Sequence, residues 1–460
     1  MKQIQSNKVH ANDADESPEK LNLFQLAWPM LIETFLFMML GMVDVFVLSR
    51  YDDLAASSVN TANQAVSVVT IVFTVISGAG GILLTQYLGA KKPKEAARTA
   101  VLSIALQLTA GLIVSLILLL FSQPILMFIG AKGQILSFAG QYLSVVGGFL
   151  FFQAVMNAMS VIMRCHGMTK LPMFVTVGIN LLNTLLDIIF VLGLFGIPQL
   201  GVTGVAIATV ISRILGTAIM AILLFRKVLR LSDLRLLFPL PKHDIVTFFK
   251  IGIPSALETF LYNLSQLVIT SIVLNCLSEQ ELVAKTYLQF ITTLFYICSV
   301  SIGQASQIMI GHDVGAGNIQ KARKQGFSSL RLALIIAVCA SFLGILFRVP
   351  LISLFTSDND VISIASAVLI INIVLELGRT TNLVMIACLR GAGDVFYPTC
   401  CAVFSNWLLS VGGSYLLAVV CGMGIYGLWI ALAADECFRG ILMIMRWRSN
   451  RWTTKKRVED

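Results

Sequence analysis

Asp44 stands in GMVDVFVL with apolar residues on both sides, and Asp187 stands in INLLNTLLDIIFVL with Asn183 four positions before it. Four residues is close to one helical turn, so Asn183 and Asp187 share one helix face. A later segment, GVTGVAIAT, ends in Thr209. Inside a bilayer each charge costs about 2.5–3.5 kcal/mol at a helix centre, so a position that keeps one has a partner or a task. Brought together, two carboxylates, an amide oxygen and a hydroxyl make a hard-oxygen site for Na⁺, or for a proton shared between the acids. Two close, desolvated carboxylates cannot both stay ionised cheaply. The same residues also read as separate hydrogen-bonding groups that pin helices together.

The other charges in apolar surroundings are Glu33, Arg213, Glu258, Glu376, Arg379, Asp435, Glu436 and Arg439. Glu376 and Arg379 are three apart, while Asp435 and Glu436 precede Arg439 by four and three, which is the spacing of ion pairs along one helix face. These five read as structural neutralisation. Pro29/Glu33 and Pro254/Glu258 repeat one spacing, in which the proline either frees helix carbonyls near a cavity or marks a helix start, and the acid one turn later reads as a cation contact or, preferably, as a cap-like structural partner. No catalytic residue is expected: the histidines His10, His166, His243 and His312 fall in tails or connections, with no Ser/His or HExxH arrangement. No GxxxxGK[ST] phosphate loop occurs, so ATP is not expected to drive anything here. The nine cysteines show no metal-ligand spacing and read as small packing residues. No cofactor is expected.

The elements that must position these residues are membrane helices. The chain has 460 residues, 57% of them hydrophobic and 12% charged, with a mean hydropathy of +0.86. Soluble domains carry about 25% charged residues. Apolar runs long enough to cross hydrocarbon recur at 21–48, 56–88, 97–121, 136–163, 172–193, 201–225, 244–275, 284–311, 326–347, 361–388, 397–421 and 425–447. The expected class is an all-α polytopic membrane protein with twelve transmembrane helices. The net charge of +9 is not a nucleic-acid signal. Lys and Arg crowd into the connections that share a side with both termini, such as Lys91, Lys92, Lys94, Arg226, Lys227, Lys321 and Arg323, and into the final tail. That asymmetry predicts a multi-pass protein of the inner (plasma) membrane with both termini in the cytoplasm.

The chain also says nearly the same thing twice. LAWPMLIETFL (26–36) is answered by IGIPSALETFL (251–261), which places Glu33 opposite Glu258 at an offset of 225. Arg164 falls opposite Arg390 and Asn180 opposite Asn406 at an offset of 226, and QYLGAKKPKEAAR answers HDVGAGNIQKAR. Six spans in each copy make the repeats parallel, related by a pseudo-twofold axis along the membrane normal. The expected organisation is a cytoplasmic tail (1–20), an amino lobe (21–225), a cytoplasmic linker (226–243), a carboxyl lobe (244–447) and a basic cytoplasmic tail (448–460).

The proline, Glu33 and GMVDVFVLSRY of the opening span, ANQ (Ala62–Gln64), QYLGAKKPKEAAR (Gln86–Arg98), LRGAGD (Leu389–Asp394) and the closing RWRSNRW (Arg446–Trp452) together resemble the multidrug and toxic compound extrusion (MATE) family. The resemblance covers residues 21–452 and leans toward the DinF-like bacterial branch rather than the NorM-like one. It implies a V-shaped cavity between two six-helix lobes and efflux of organic, often aromatic or cationic, compounds in exchange for H⁺ or Na⁺. It further implies that Asp44, Asn183, Asp187 and Thr209 are the family's amino-lobe cation site. Where one branch carries two carboxyl-lobe acids, this chain has Tyr262 and Arg379, so the resemblance puts the coupling site in the amino lobe, with Glu258 the nearest carboxylate in the other.

The expected function is therefore secondary active efflux by alternating access, with cargo such as drugs, toxins or flavins. Expected partners are a small-molecule substrate, H⁺ or Na⁺ and the lipid bilayer, with no nucleic acid, no ATP and a monomeric protein. Asn63, Gln64, Tyr287, Gln289 and Glu258 are polar candidates for the substrate cavity. The alternatives are a lipid-linked oligosaccharide flippase of the same superfamily and an ion channel.

Overall fold

The computed structural model describes residues 21–196, 198–239 and 242–455. The 1–20 tail, part of the linker and the end of the basic tail expected from the sequence lie outside these residues. The amino half builds α1 (Leu23–Ser49), α2 (Asp53–Gly89), α3 (Pro93–Ile129), α4 (Gly133–Gly148), α5 (Leu150–Cys165), α6 (Lys170–Leu192) and α7 (Gly201–Lys227). After a short 3₁₀ segment at Leu231–Leu237, the carboxyl half builds α8 (Lys242–Cys276), α9 (Glu279–Gly315), α10 (Ile319–Leu346), the short α11 (Arg348–Ser353), α12 (Asn359–Gly391), α13 (Phe396–Ser405) and α14 (Gly424–Arg448).

Among the described residues nine helical segments are long and apolar enough to cross a bilayer, and ten if α4 and α5 form one bent span. The remaining long rods are α1, with 27 residues, and α14, with 25 residues and three charges in its middle. At 1.5 Å per residue both exceed about 30 Å of hydrocarbon. The fold is an all-α polytopic membrane fold.

Local chemistry explains the departures from straight rods. The span expected at 136–163 bends by 47° between α4 and α5, directly after Gly147–Gly148, where Phe149 leaves helical geometry (φ −107°, ψ 14°). In α3 the helix breaks at Phe121 (φ −116°, ψ 20°), three residues before Pro124, whose ring cannot accept a regular preceding turn. After α13 the same span continues as π-helical turns over Asn406–Gly412 and Tyr415–Val420. Asp52 caps α2 through Leu54 N (2.7 Å), and Ser278 with Glu281 forms a capping box on α9.

The cores show how the halves meet. One cluster around Val47, Leu48, Val59, Tyr142 and Val205 contains only amino-half residues, and another around Ile269, Leu288, Val361 and Leu428 contains only carboxyl-half residues. The remaining contact is at the end that carries the described chain ends. There Leu23, Leu26, Ala27 and Met30 of α1 pack among α9, α10, α12 and α14 residues, and Ile82 and Leu83 of α2 pack on Phe248 and Ile251 of α8. At this seam Gln86 donates to Gly391 O (3.0 Å), and the His312 ring nitrogen Nε2 lies 2.8 Å from Cys165 O. Gly89 and Gly315, equivalent positions of the two copies, cross reciprocally: a methyl on Gly89 would strike the His312 carbonyl, and one on Gly315 the Gln86 carbonyl. Only glycine lets backbones approach so closely. The lobes thus touch at the terminus-bearing end and diverge toward the other.

Candidate cation site and central cavity

The four residues singled out by spacing come together. Asp44 reaches in from α1, Asn183 and Asp187 from one face of α6, and Thr209 from α7; their exposures are 3%, 1%, 0% and 2%. With its amide turned so that the NH₂ faces the acids, Asn183 donates to Asp44 Oδ1 at 3.0 Å and to Asp187 Oδ2 at 3.3 Å. The two carboxyl groups are neighbours bridged by that one amide. Asp187 Oδ1 is buried without a partner. A buried orphan acceptor beside a second acid suits a proton or a small cation, because an unmade bond in a dry interior costs about 1–3 kcal/mol.

Two residues complete the surroundings. Tyr142, fully buried on α4, donates to Asn63 Oδ1 at 3.1 Å and lies in electrostatic range of Asp44 and Asp187, while Thr209 donates to Val205 O at 2.9 Å. Asn63 is therefore held by a tyrosine that neighbours the acids. Arg213, one turn after Thr209 on α7, lies in electrostatic range of Asp44 and Tyr142. Its Nε and Nη1 are buried with no hydrogen-bond partner.

Beside this cluster lies a cavity of about 660 Å³ between the lobes. That volume suits a drug-sized molecule. Helices α1, α2, α5, α6 and α7 form one wall, and α8, α9 and α12 the other. Asn183, Thr209 and Arg213 are on the wall, while Asp44 and Asp187 stand behind them. Two further charges on the wall, Arg164 and Arg390, are each tied to a glutamate: Arg164 Nη2 to Glu33 Oε1 (2.9 Å) and Arg390 Nη2 to Glu258 Oε2 (2.8 Å). Ser160 adds a bond to Glu33 and Thr399 one to Glu258.

The polar cavity candidates fare differently. Gln64 is exposed, and Tyr287 stacks on Phe355 at 5.4 Å between centroids. Neither is on the central wall, nor are Asn63, Glu258 and Gln289. Gln289 lines a smaller pocket of about 90 Å³ within the carboxyl half, together with Tyr262, Arg379, Asp435 and Glu436. Sequence reasoning did not place Glu33, Arg164 and Arg390 on the wall, although their repetition at offsets of 225 and 226 marked them as a pair of pairs.

The two expected ion pairs of the carboxyl half form one network across α12 and α14. Arg379 holds Glu376 (2.8 Å) and approaches Glu436 (3.9 Å), and Arg439 holds Glu436 (3.0 Å) and Asp435 (2.6 Å). Asn382 adds a bond to Glu436 at 2.8 Å.

Known proteins fit this plan. The MatE family model matches residues 29–189 and again 254–416, one copy in each half. The chain is 37% identical to the uncharacterized transporter YisQ of Bacillus subtilis over 94% of this chain and 95% of that protein. It is 28% identical to a probable multidrug resistance protein NorM of Thermotoga maritima over 97% of both chains. Its fold resembles a crystal structure of MATE in the bent conformation, with a TM-score of 0.87 and 20% identity over 94% of this chain and 95% of the other. A duplicated six-helix plan, a cavity between the copies and a family match in each half lead to one conclusion: the chain belongs to the MATE family, whose members are transporters and not enzymes.

Proposed function

We propose that the protein is a secondary active antiporter that exports organic small molecules in exchange for H⁺ or Na⁺. The observation that carries this reading is the convergence of Asp44, Asn183, Asp187 and Thr209 behind the wall of the inter-lobe cavity. The names of relatives, several of them probable multidrug resistance proteins, support an efflux role. The basic loops and tail favour the plasma membrane with the terminus-bearing end in the cytoplasm. On that orientation the cavity of this form opens outward.

Helix α1 supports a coupling route, because it reaches both sides of the cleft. Its late turns give Asp44 to the cation site, and its first turns pack Leu26 and Met30 into the carboxyl half. A proton or Na⁺ that arrives from outside neutralises the paired acids, and α1 repacks as their repulsion is relieved. Cargo binds less well, leaves outward, and the lobes rock so that the ion departs to the cytoplasm. A unit charge moving through roughly 150 mV gains about 3.5 kcal/mol, which sustains an outward gradient of about 300-fold for a neutral cargo. The cavity wall of amides, hydroxyls and methionines such as Met30 and Met156 suits flat aromatic compounds.

Everted membrane vesicles test the proposal. Imposed pH and Na⁺ gradients are compared as drivers of ethidium and riboflavin transport, and Asp44→Asn is expected to abolish transport while protein remains in the membrane. Wild-type transport by Asp44→Asn would defeat the assignment.

A further inference from the structure

Arg213 is a charge that the proposed mechanism does not use. It stands one turn beyond Thr209 on α7, with Nε and Nη1 sealed from solvent and unpartnered. In the same cluster Asp187 Oδ1 is sealed and unpartnered as well. A buried donor and a buried acceptor, both left over in one polar cluster, are complementary groups that are held apart in this form. The titratable groups that meet here are Asp44 from α1, Tyr142 from α4, Asp187 from α6 and Arg213 from α7. Every other charged side chain on the cavity wall is tied to an opposite charge.

We propose that Arg213 is a tethered internal cation that takes the place of the coupling ion on the Asp44/Asp187 pair. This inference rests on the reading of that pair as the coupling site. Two carboxylates against one guanidinium leave a single negative charge, so one monovalent cation closes the balance. In the form described here Arg213 lies in electrostatic range of Asp44, yet its Nε and Nη1 bond neither acid. When the ion leaves, Arg213 closes on Asp187, so that the pair is not left as two bare acids in a dry interior. Arg213 thereby fixes one charge per cycle and makes ion release possible. It is a positioning residue for the exchange, and it moves no proton itself.

The experiment needs no identified cargo. Purified protein in proteoliposomes on a solid-supported membrane is given jumps of pH, or of Na⁺ at constant pH, and the displaced charge per protein is read. In wild type the charge should follow the ion with a Hill slope of one. Arg213→Met should double the displaced charge and raise the slope toward two, while Arg213→Lys should restore the wild-type value. Asp44→Asn/Asp187→Asn should abolish the signal; if it does not, the coupling site itself is misassigned. If that double variant is silent but Arg213→Met moves the same charge with the same slope as wild type, the role given to Arg213 is wrong and the site stands. An Arg213→Met protein that is monodisperse on gel filtration yet silent also overturns the role, and Arg213→Gln provides the same readout should the methionine variant fail to fold.

Discussion

Arg164 holds Glu33 at 2.9 Å across the amino half, and 226 residues further on Arg390 holds Glu258 at 2.8 Å in the same relation. Each glutamate sits one turn after a proline in the first helix of its half, and each arginine sits near the end of a later helix. Both arginines face the cavity, so the duplication has produced two matched latches around one space.

Breaking one latch strands its partner. Glu33→Gln is expected to lower stability by about 1–3 kcal/mol, the range for losing a charged hydrogen bond in a poorly solvated place. The double variant Glu33→Gln/Arg164→Met should recover part of that loss. Thermal unfolding of the single and double variants in detergent gives the coupling. Strict additivity would show that the pair contributes nothing as a pair.

Asn183 and Tyr142 organise the acids without carrying the ion's charge. Asn183→Ala removes the amide that spans Asp44 and Asp187, and coupling-ion affinity should fall about tenfold, or 1.4 kcal/mol. Tyr142→Phe removes the hydroxyl that holds Asn63 Oδ1 beside the acids and should cost about fivefold. Ion-concentration dependence of transport in vesicles reads both, and maximal rates should change less than affinities.

The glycine crossing at the seam admits no methyl group. Gly89→Ala and Gly315→Ala should each wedge the terminus-bearing end apart, because the obstacle is a carbonyl rather than a side chain that could swing aside. Paired spin labels on α2 and α9 at that end should report longer distances, more so in the double variant. Unchanged distances would mean that the helices slide past each other at no cost.

His166 gives the seam a pH dependence. It lies in the connection between α5 and α6, where burial pushes its imidazole below the usual histidine range and nearby His312 acts in the same direction. The folded form therefore prefers the neutral ring. Stability should be indifferent to this group above about pH 6.5 and should fall as pH drops below that value, where the unfolded chain gains the proton first. Melting temperatures between pH 8 and 5 test this, and His166→Gln should flatten the acid side of the curve.

Much of this was legible in the sequence for physical reasons. Charges in apolar spans are rare enough that Asp44 and Asp187 stood out, and a four-residue interval is sufficient to put Asn183 on the face of Asp187. Repetition exposed Glu33/Glu258 and Arg164/Arg390, but not that each glutamate meets its own lobe's arginine, since spacing within a helix says nothing about which helix lies opposite. The same limit hid Tyr142, an ordinary tyrosine until α4 is seen to pack beside α2 and α7 and to place it near the acids. It also hid the union of Glu376/Arg379 with Asp435/Glu436/Arg439, which requires α12 and α14 to be neighbours. The cavity guesses at Gln64 and Tyr287 rested on residue type alone, and type does not report depth.

The network between α12 and α14 has a mechanical consequence. Each of its acids has a guanidinium, and sliding the two helices apart would strand several charges at once, so this pair is a stiff girder. In the amino half, by contrast, the buried Arg213 Nε and Nη1 face no carboxylate partner among the described residues. In the exchange proposed above, that girder is expected to travel as one body, so that any repacking falls to helices outside it.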